Sequence, residues 1–260
     1  MRLNSGVVAC GVAACVLCAA APAAAQTQQT ARTDSDPTRP ILVSLRPEFY
    51  RVTDDGWRML MIARYDQALF RQRRWLGGRR GMLIRLELPA AAGQAPGVET
   101  TAGLGDAYGQ LLLIPHLTGR FAFVASSGLF IPTASGAVLG TGKWAVAPAA
   151  IPVWFTRGVG MVYVKAQNLT SFAGDAARPD VNVLLITPTV IRTIGRRSWM
   201  LIDTESKTDW RRNGRTGTKS GVQFGRVWAR RMGLWVKPEF WWGANQDGRW
   251  NLKTGLIVYR

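Results

Sequence analysis

Three features of the 260-residue sequence predict an all-β protein, a transmembrane antiparallel up-and-down β-barrel of about twelve strands. Apolar and charged residues alternate with period 2 through much of the chain, as in strands with one apolar face. Short and long connections also alternate, as they do at the two ends of a membrane barrel. Tryptophans fall near the predicted strand ends, where interfacial girdles sit.

The first residues read as an address. Met1-Arg2-Leu3-Asn4 carries one positive charge, Gly6 to Ala20 is a small-residue apolar run, and Ala23-Ala24-Ala25 supplies an A-x-A site. Residues 1–25 are expected to be a Sec-type signal peptide, with Gln26 opening the mature chain. Val12-Ala13-Ala14-Cys15 has the form of a lipoprotein box, the competing site, at which Cys15 would be lipidated. Gln26 to Pro40 is polar, proline-containing and without periodicity. It is expected to be a disordered periplasmic leader, with the barrel over 41–260.

From Ile41 onward no stretch offers the ~20 apolar residues of a spanning helix. The longest apolar run, Trp144 to Phe155, contains Pro148 and Pro152. Clear alternation begins in 41–50, where Ile41, Val43, Leu45 and Phe49 oppose Ser44, Arg46 and Glu48. Met59, Met61 and Tyr65 then oppose Arg58, Arg64 and Asp66; Met82, Ile84, Leu86 and Leu88 oppose Arg85 and Glu87. Val162 and Val164 oppose Lys165 and Gln167, and Met200 and Ile202 oppose Asp203, Glu205, Lys207 and Asp209. Val236, Phe240 and Trp242 oppose Lys237 and Glu239; Trp250, Leu252, Leu256 and Val258 oppose Asn251 and Lys253. Strands over 103–118, 119–133, 142–156, 181–195 and 219–231 complete the set with weaker alternation.

The links near Thr118-Gly119, Arg157-Gly158, Gly195-Arg196 and Met232-Gly233 read as tight turns. Longer loops are expected over 89–102, 134–141, 171–180 and 211–218. This order puts both termini on the periplasmic side. One link, Arg71–Arg80, is long where a turn is due. A soluble β-sandwich would alternate as well, with its charged face in water. In a barrel the charged face lines the lumen and the apolar face meets lipid.

Composition removes several classes of function. Hydrophobic residues make up 47% and charged residues 19%, with 11 Trp, which excludes disorder over most of the chain. The three cysteines, Cys10, Cys15 and Cys18, all lie in the signal segment, so the mature chain has no thiol for a disulfide, zinc site or nucleophile. The net charge is +17, which invites a nucleic-acid reading, but export removes that partner.

Several blocks carry a family resemblance. They are Leu86-Glu87-Leu88-Pro89 with Gly103-Leu104-Gly105-Asp106, and Gly128-Leu129-Phe130-Ile131-Pro132-Thr133 with Gly140-Thr141-Gly142-Lys143-Trp144. Ser171-Phe172-Ala173-Gly174-Asp175, Arg178-Pro179-Asp180-Val181-Asn182, Thr208-Asp209-Trp210 and Gly225-Arg226-Val227 follow in order. Over roughly residues 56–258 the chain resembles the outer-membrane family named for the meta-cleavage pathway of phenol degradation, described as transporters. The resemblance implies a Gram-negative outer-membrane barrel and a channel for small aromatic or other hydrophobic compounds. The chain departs from a common barrel ending, closing on Val258-Tyr259-Arg260 where an aromatic residue is usual.

Eight basic residues fall on the predicted lumenal faces: Arg46, Arg58, Arg64, Arg85, Lys165, Lys207, Lys237 and Lys253. Seven acidic ones accompany them: Glu48, Asp66, Glu87, Asp203, Glu205, Asp209 and Glu239. The lumen is thus close to neutral, and opposite charges are expected to pair across strands and constrict it. The basic excess falls at the rims: Arg71, Arg73, Arg74, Arg79, Arg80, Arg120, Arg157, Arg196, Arg197, Arg230 and Arg231 at the periplasmic turns, and Arg178, Arg211, Arg212, Arg215 and Lys219 in outer loops. Such rims fit outer-membrane lipid and lipopolysaccharide phosphates as partners, or are solvated turn arginines. The expected site is a pore lining or constriction made of Arg64, Arg85, Glu87, Asp203, Glu205, Lys207, Asp209, Lys237 and Glu239.

Catalysis is not expected. His116 is the only histidine and sits at a predicted turn, which leaves little for a nucleophile–base pair. Asp203, Glu205 and Asp209 share a face; they could do acid–base work or bind Ca²⁺, but an ion ladder closed by Lys207 is the favoured reading. The glycine-rich pieces near Gly103 and Gly140 lack phosphate-loop spacing. No cofactor or metal is expected. The function expected is passive passage or binding of a small solute; the alternatives are a secreted β-sandwich binding module and a sealed structural barrel.

Overall fold

The computed structural model describes residues 33–75, 78–157, 159–229, 231–243 and 246–259. Residues 1–25, expected to be a signal peptide, and residues 26–32 lie outside them. The strands are β1 (Val43–Arg51), β2 (Trp57–Trp75), β3 (Gly78–Gln94), β4 (Thr101–Leu104), β5 (Ala107–Leu117), β6 (Phe121–Ile131), β7 (Lys143–Thr156), β8 (Gly160–Gly174), β9 (Asn182–Ile194), β10 (Ser198–Asp209), β11 (Arg215–Ala229), β12 (Met232–Trp242) and β13 (Trp250–Val258). β4 and β5 both pair with β3, so together they form one position in the wall. Consecutive strands pair antiparallel, and β1 also pairs with β13. The sheet therefore closes into a twelve-stranded barrel with no edge, the arrangement that satisfies every ladder hydrogen bond within the wall. A two-sheet sandwich does not describe it.

The faces separate as the alternation predicts. On one, Leu88 is 65% exposed and Phe240 61%; on the other, Asp66 and Glu239 are each 1% exposed. Charged groups thus point inward and large apolar ones outward. A soluble sandwich would reverse this, and a membrane barrel requires it.

The expected long link at Arg71–Arg80 is largely ladder, with register shifts between Ala68 and Arg73. β2 and β3 stay paired through Arg73↔Arg80, Arg74↔Arg79 and Trp75↔Gly78, so the connection is tight. Every link at this end is then short; it is called the turn end here, and the other the loop end. Three of the four loops expected at the loop end are shorter too, because β3 runs on to Gln94, β8 to Gly174, and β11 starts at Arg215, while the fourth widens to 132–142.

The turn half of the interior departs from a simple polar lumen. Leu83, Leu112, Ile114, Ala122, Val124, Ile151, Val153, Met161, Tyr163, Ile191 and Leu201 form one buried cluster. Ile41, Trp199, Trp235, Ile257 and Tyr259 form a second. Trp199 and Trp235 are therefore core residues and not part of an interfacial girdle. Their space comes from glycine: a Cβ on Gly225 would lie 2.1 Å from the Trp199 ring, and one on Gly255 would lie 2.3 Å from Trp235. Trp57, Trp144, Trp154, Trp228, Trp242 and Trp250 remain near strand ends on the outward face.

Residues 33–41, part of the stretch expected as a disordered leader, run inside the barrel. Thr33, Asp34, Asp36, Thr38 and Ile41 are buried. Arg64 Nη1 on β2 donates to the Asp34 carbonyl at 3.0 Å, Tyr163 Oη on β8 to the Ser35 carbonyl at 3.0 Å, and Trp235 Nε1 on β12 to Asp34 Oδ2 at 3.1 Å. Contacts with three separated sectors of the wall mean that the segment crosses the lumen.

Candidate functional site

Above the apolar half the lumen is charged along β10–β13 and β1–β3. Lys237 Nζ lies 2.6 Å from Asp203 and 2.7 Å from Glu239. Lys253 reaches Glu239 at 3.0 Å and Glu48 at 4.0 Å. Arg46 joins Glu48 at 2.6 Å to Glu87 at 3.4 Å. Lys219 joins Glu205 at 2.9 Å to Glu239 at 3.9 Å. The result is one unbroken chain of alternating charge from β3 to β10. Glu239 is its hub and also accepts from Asn251 Nδ2 at 3.1 Å. Beside it Asp66 holds two arginines, Arg64 at 2.6 Å and Arg85 at 3.1 Å.

The strand register makes this possible. Glu48 pairs with Lys253, Lys237 with Lys253, and Glu205 with Lys219, so their side chains share a face and a level. Each carboxylate named in these clusters has at least one cation, which offsets the cost of removing it from bulk water.

The opposite wall is different. Tyr108 and Gln110 on β5, Ser126 on β6, Ala145, Ala147 and Ala149 on β7, and Thr187 and Thr189 on β9 face inward. They are small or neutral, with Gln110 Nε2 donating to Ser126 Oγ at 3.0 Å. Lys165 on β8 is the charge set among them.

Of the nine residues expected to line a constriction, seven meet in these clusters: Arg64, Arg85, Glu87, Asp203, Glu205, Lys237 and Glu239. Lys207 and Asp209 do not. Lys207 pairs with Asp247 in the loop 243–249, and Asp209 caps the short 3₁₀ turn Trp210–Arg212, accepting from Arg211 N at 3.0 Å. The ladder is closed by Lys219, Lys237 and Lys253 instead. Lys219, expected in an outer loop, is an inward residue of β11 with its ammonium 5.5 Å from the Trp241 ring centre. Arg46, Glu48, Asp66 and Lys253 also belong to the ladder. Their parity was readable, but their central place depends on closure of β1 on β13.

The glycine-rich blocks build the loop-end mouth. Asp106, at the break between β4 and β5, accepts from Thr141 N at 2.5 Å and Thr141 Oγ1 at 2.8 Å. Arg178 donates to the Ala137 carbonyl at 2.6 Å and to the Gly140 carbonyl. Lys143 meets Asp180 at 3.0 Å, and their contact holds the Asp180 carboxyl below its ordinary pKa. Leu139, fully buried, offers its carbonyl to Arg58 Nη2 at 2.8 Å, so loop 132–142 folds across the mouth toward β2. His116 faces outward after a register shift in β5, with its ring 6.3 Å from Phe121.

The fold is the closed antiparallel barrel that outer-membrane proteins share. No protein-family model matches the chain, and no curated protein matches it by sequence. Among solved structures it is similar to an outer membrane channel from Pseudomonas putida F1, with TM-score 0.68 and 10% identity over 92% of this chain and 100% of that one. It is also similar to the NanC porin, with TM-score 0.55 and 8% identity over 84% of this chain and 100% of that one. The β domain of the Bordetella autotransporter BrkA gives TM-score 0.52 and 12% identity over 85% of this chain and 100% of that one. At identities this low the likeness shows the fold alone.

Proposed function

We propose that the protein is a narrow outer-membrane channel, exported by its N-terminal signal, that binds or passes small molecules without a catalytic step. The observation that carries this reading is the unbroken ion ladder facing a small, neutral wall across the barrel. Fixed charges along a confined path select solutes by size and by charge. A wall with charge on one side and alanine on the other suits a solute that is itself part polar and part apolar. Aromatic and other hydrophobic compounds belong to this class. The basic rims and apolar outer face have lipid and lipopolysaccharide as their partners in this reading.

One observation favours a second reading. Residues 33–41 and the apolar cluster fill the turn half, as side chains fill small barrels. A sealed barrel with a structural role in the envelope follows if that filling is permanent.

Two measurements decide. The protein should fractionate with the outer membrane and change its gel mobility on boiling. In planar bilayers it should give small, solute-sensitive conductance. A large, steady, porin-like conductance would contradict the narrow channel, and no conductance or solute uptake under any condition would leave the sealed barrel.

A further inference from the structure

One lumenal cation stands apart from the ladder. Lys165 on β8 pairs in register with Thr187 on β9. The pairs Asp203↔Thr189 and Lys207↔Leu185 bracket Thr187 and place it beside Glu205 on β10. Glu205 is already joined to Lys219 at 2.9 Å. Lys165 makes no hydrogen bond and no ion pair within 4.0 Å among the described residues. Its cross-strand partner Thr187 is 6% exposed, and Thr187 Oγ1 is buried with no hydrogen-bond partner among them. Tyr163, next on the same face of β8, spends its hydroxyl on the Ser35 carbonyl. On the other side β7 presents Ala147, Ala149 and Ile151, all uncharged.

Glu205 and Asp203 act on the Lys165 ammonium from beyond ion-pair distance, and an ammonium and a hydroxyl that lack hydrogen bonds among the described residues represent unmet electrostatic demand in a confined space. Cross-strand neighbours have Cβ atoms about 5 Å apart, so both groups can converge on one small acceptor. A carboxylate has two oxygens and the charge to satisfy both. On β7 the half-buried Ala149 lies between the buried Ala147 and Ile151, and no acid of that strand competes.

We propose that Lys165 and Thr187 form a binding site for the carboxylate of a small organic acid whose apolar body lies against the β7 wall at Ala149. This rests on the lumen being a solute path, as proposed above, and it names the class of solute. Lys165 supplies the charge-assisted contact and Thr187 the second donor.

The experiment is a ¹⁹F NMR titration of the full-length barrel in detergent with 4-fluorobenzoate. 4-Fluorobenzylammonium serves as a probe with the same ring and the opposite charge. Saturable broadening is expected with the acid and not with the amine. Lys165→Met should weaken acid binding about tenfold or more, as loss of a charge-assisted hydrogen bond implies. Thr187→Val should weaken it less, and Lys165→Arg should restore most of it. Lys207→Met, at the rim, should leave it unchanged. Each variant is first checked for the gel shift of a folded barrel. Absence of saturable acid binding in the wild type, equal binding by Lys165→Met, or equal binding of the amine would overturn the site. Conductance is read separately. A barrel that conducts but does not bind the acid loses only this site, and one that binds but never conducts loses only the channel reading.

Discussion

The two halves of the barrel obey the same outer rule and opposite inner ones. Outside, both present apolar side chains. Inside, the turn half is close-packed hydrocarbon around Leu112, Val153, Trp199 and Leu201, while the loop half is a network of ions. Packing in the first depends on shape, since each cavity or overlap is felt by its neighbours. Order in the second depends on partnership, since a charge that loses its partner in the lumen is costly. The turn half is thus the part that fixes the barrel, and the loop half is the part that meets solute in the proposed function.

The sharpest test of that contrast is steric. Gly225→Leu would drive a side chain into Trp199, whose ring already occupies the place of the missing Cβ. The expected outcome is a barrel that no longer shows the boiling-dependent gel shift. A variant that folds normally would mean that the turn half is loosely packed. Leu112→Ala, which leaves a cavity in the same half, should lower stability by about 2–5 kcal/mol in denaturant titrations.

Next in size is a charge deletion. Asp66→Asn removes the shared partner of Arg64 and Arg85 and should cost about 3 kcal/mol, as expected when one member of a buried pair is lost. A negligible cost would show that water in the lumen already screens this site.

Removing residues 26–40 tests how the halves are separated. Deletion should raise bilayer conductance several-fold, because contacts from Arg64, Tyr163 and Trp235 hold Asp34 and Ser35 of that segment inside the barrel. Unchanged conductance would mean that the apolar cluster is itself the barrier.

Within the loop half, the ladder can be compared with its rim. Lys253→Met breaks contacts to both Glu239 and Glu48 and should shift ion selectivity toward cations. Lys207→Met, whose partner Asp247 sits in a loop, should change stability by less than about 1 kcal/mol. The smallest effect concerns pH. Asp180 has a lowered pKa through its hydrogen bond to Lys143, so this contact is complete above the ordinary carboxylate range. It is lost as pH falls through the lowered value. Hydrogen exchange in 175–181 should therefore rise on acidification, and Asp180→Asn should abolish that dependence.

The same contrast explains what was legible. Strands over 41–50, 57–67, 82–88, 200–209, 236–242 and 250–258 alternate clearly because their lumenal faces carry the ladder. Strands over 103–118, 119–133, 142–156 and 181–195 alternate weakly because much of their inner face is apolar or small, like their outer face. Ala122, Val124, Ile151 and Val153 lie inside at 4% exposure or less, and nothing in their type distinguishes them from lipid-facing residues. The tight turn between β2 and β3 was hidden by a run of arginines that reads as loop but is paired ladder.

By itself the sequence determined the all-β class, the twelve wall positions and, where charged residues alternate with apolar ones, the parity of the faces. These are local properties, set by period-2 alternation along single strands. The tertiary structure decided which cation meets which acid, because those partners come from different strands. Glu48 and Lys253 meet only because the first strand closes on the last, and Lys237 displaced Lys207 as partner of Asp203 because the strand register set their level. It also decided that residues 33–41 lie inside, since their burial depends on donors from β2, β8 and β12 that no neighbouring residue supplies.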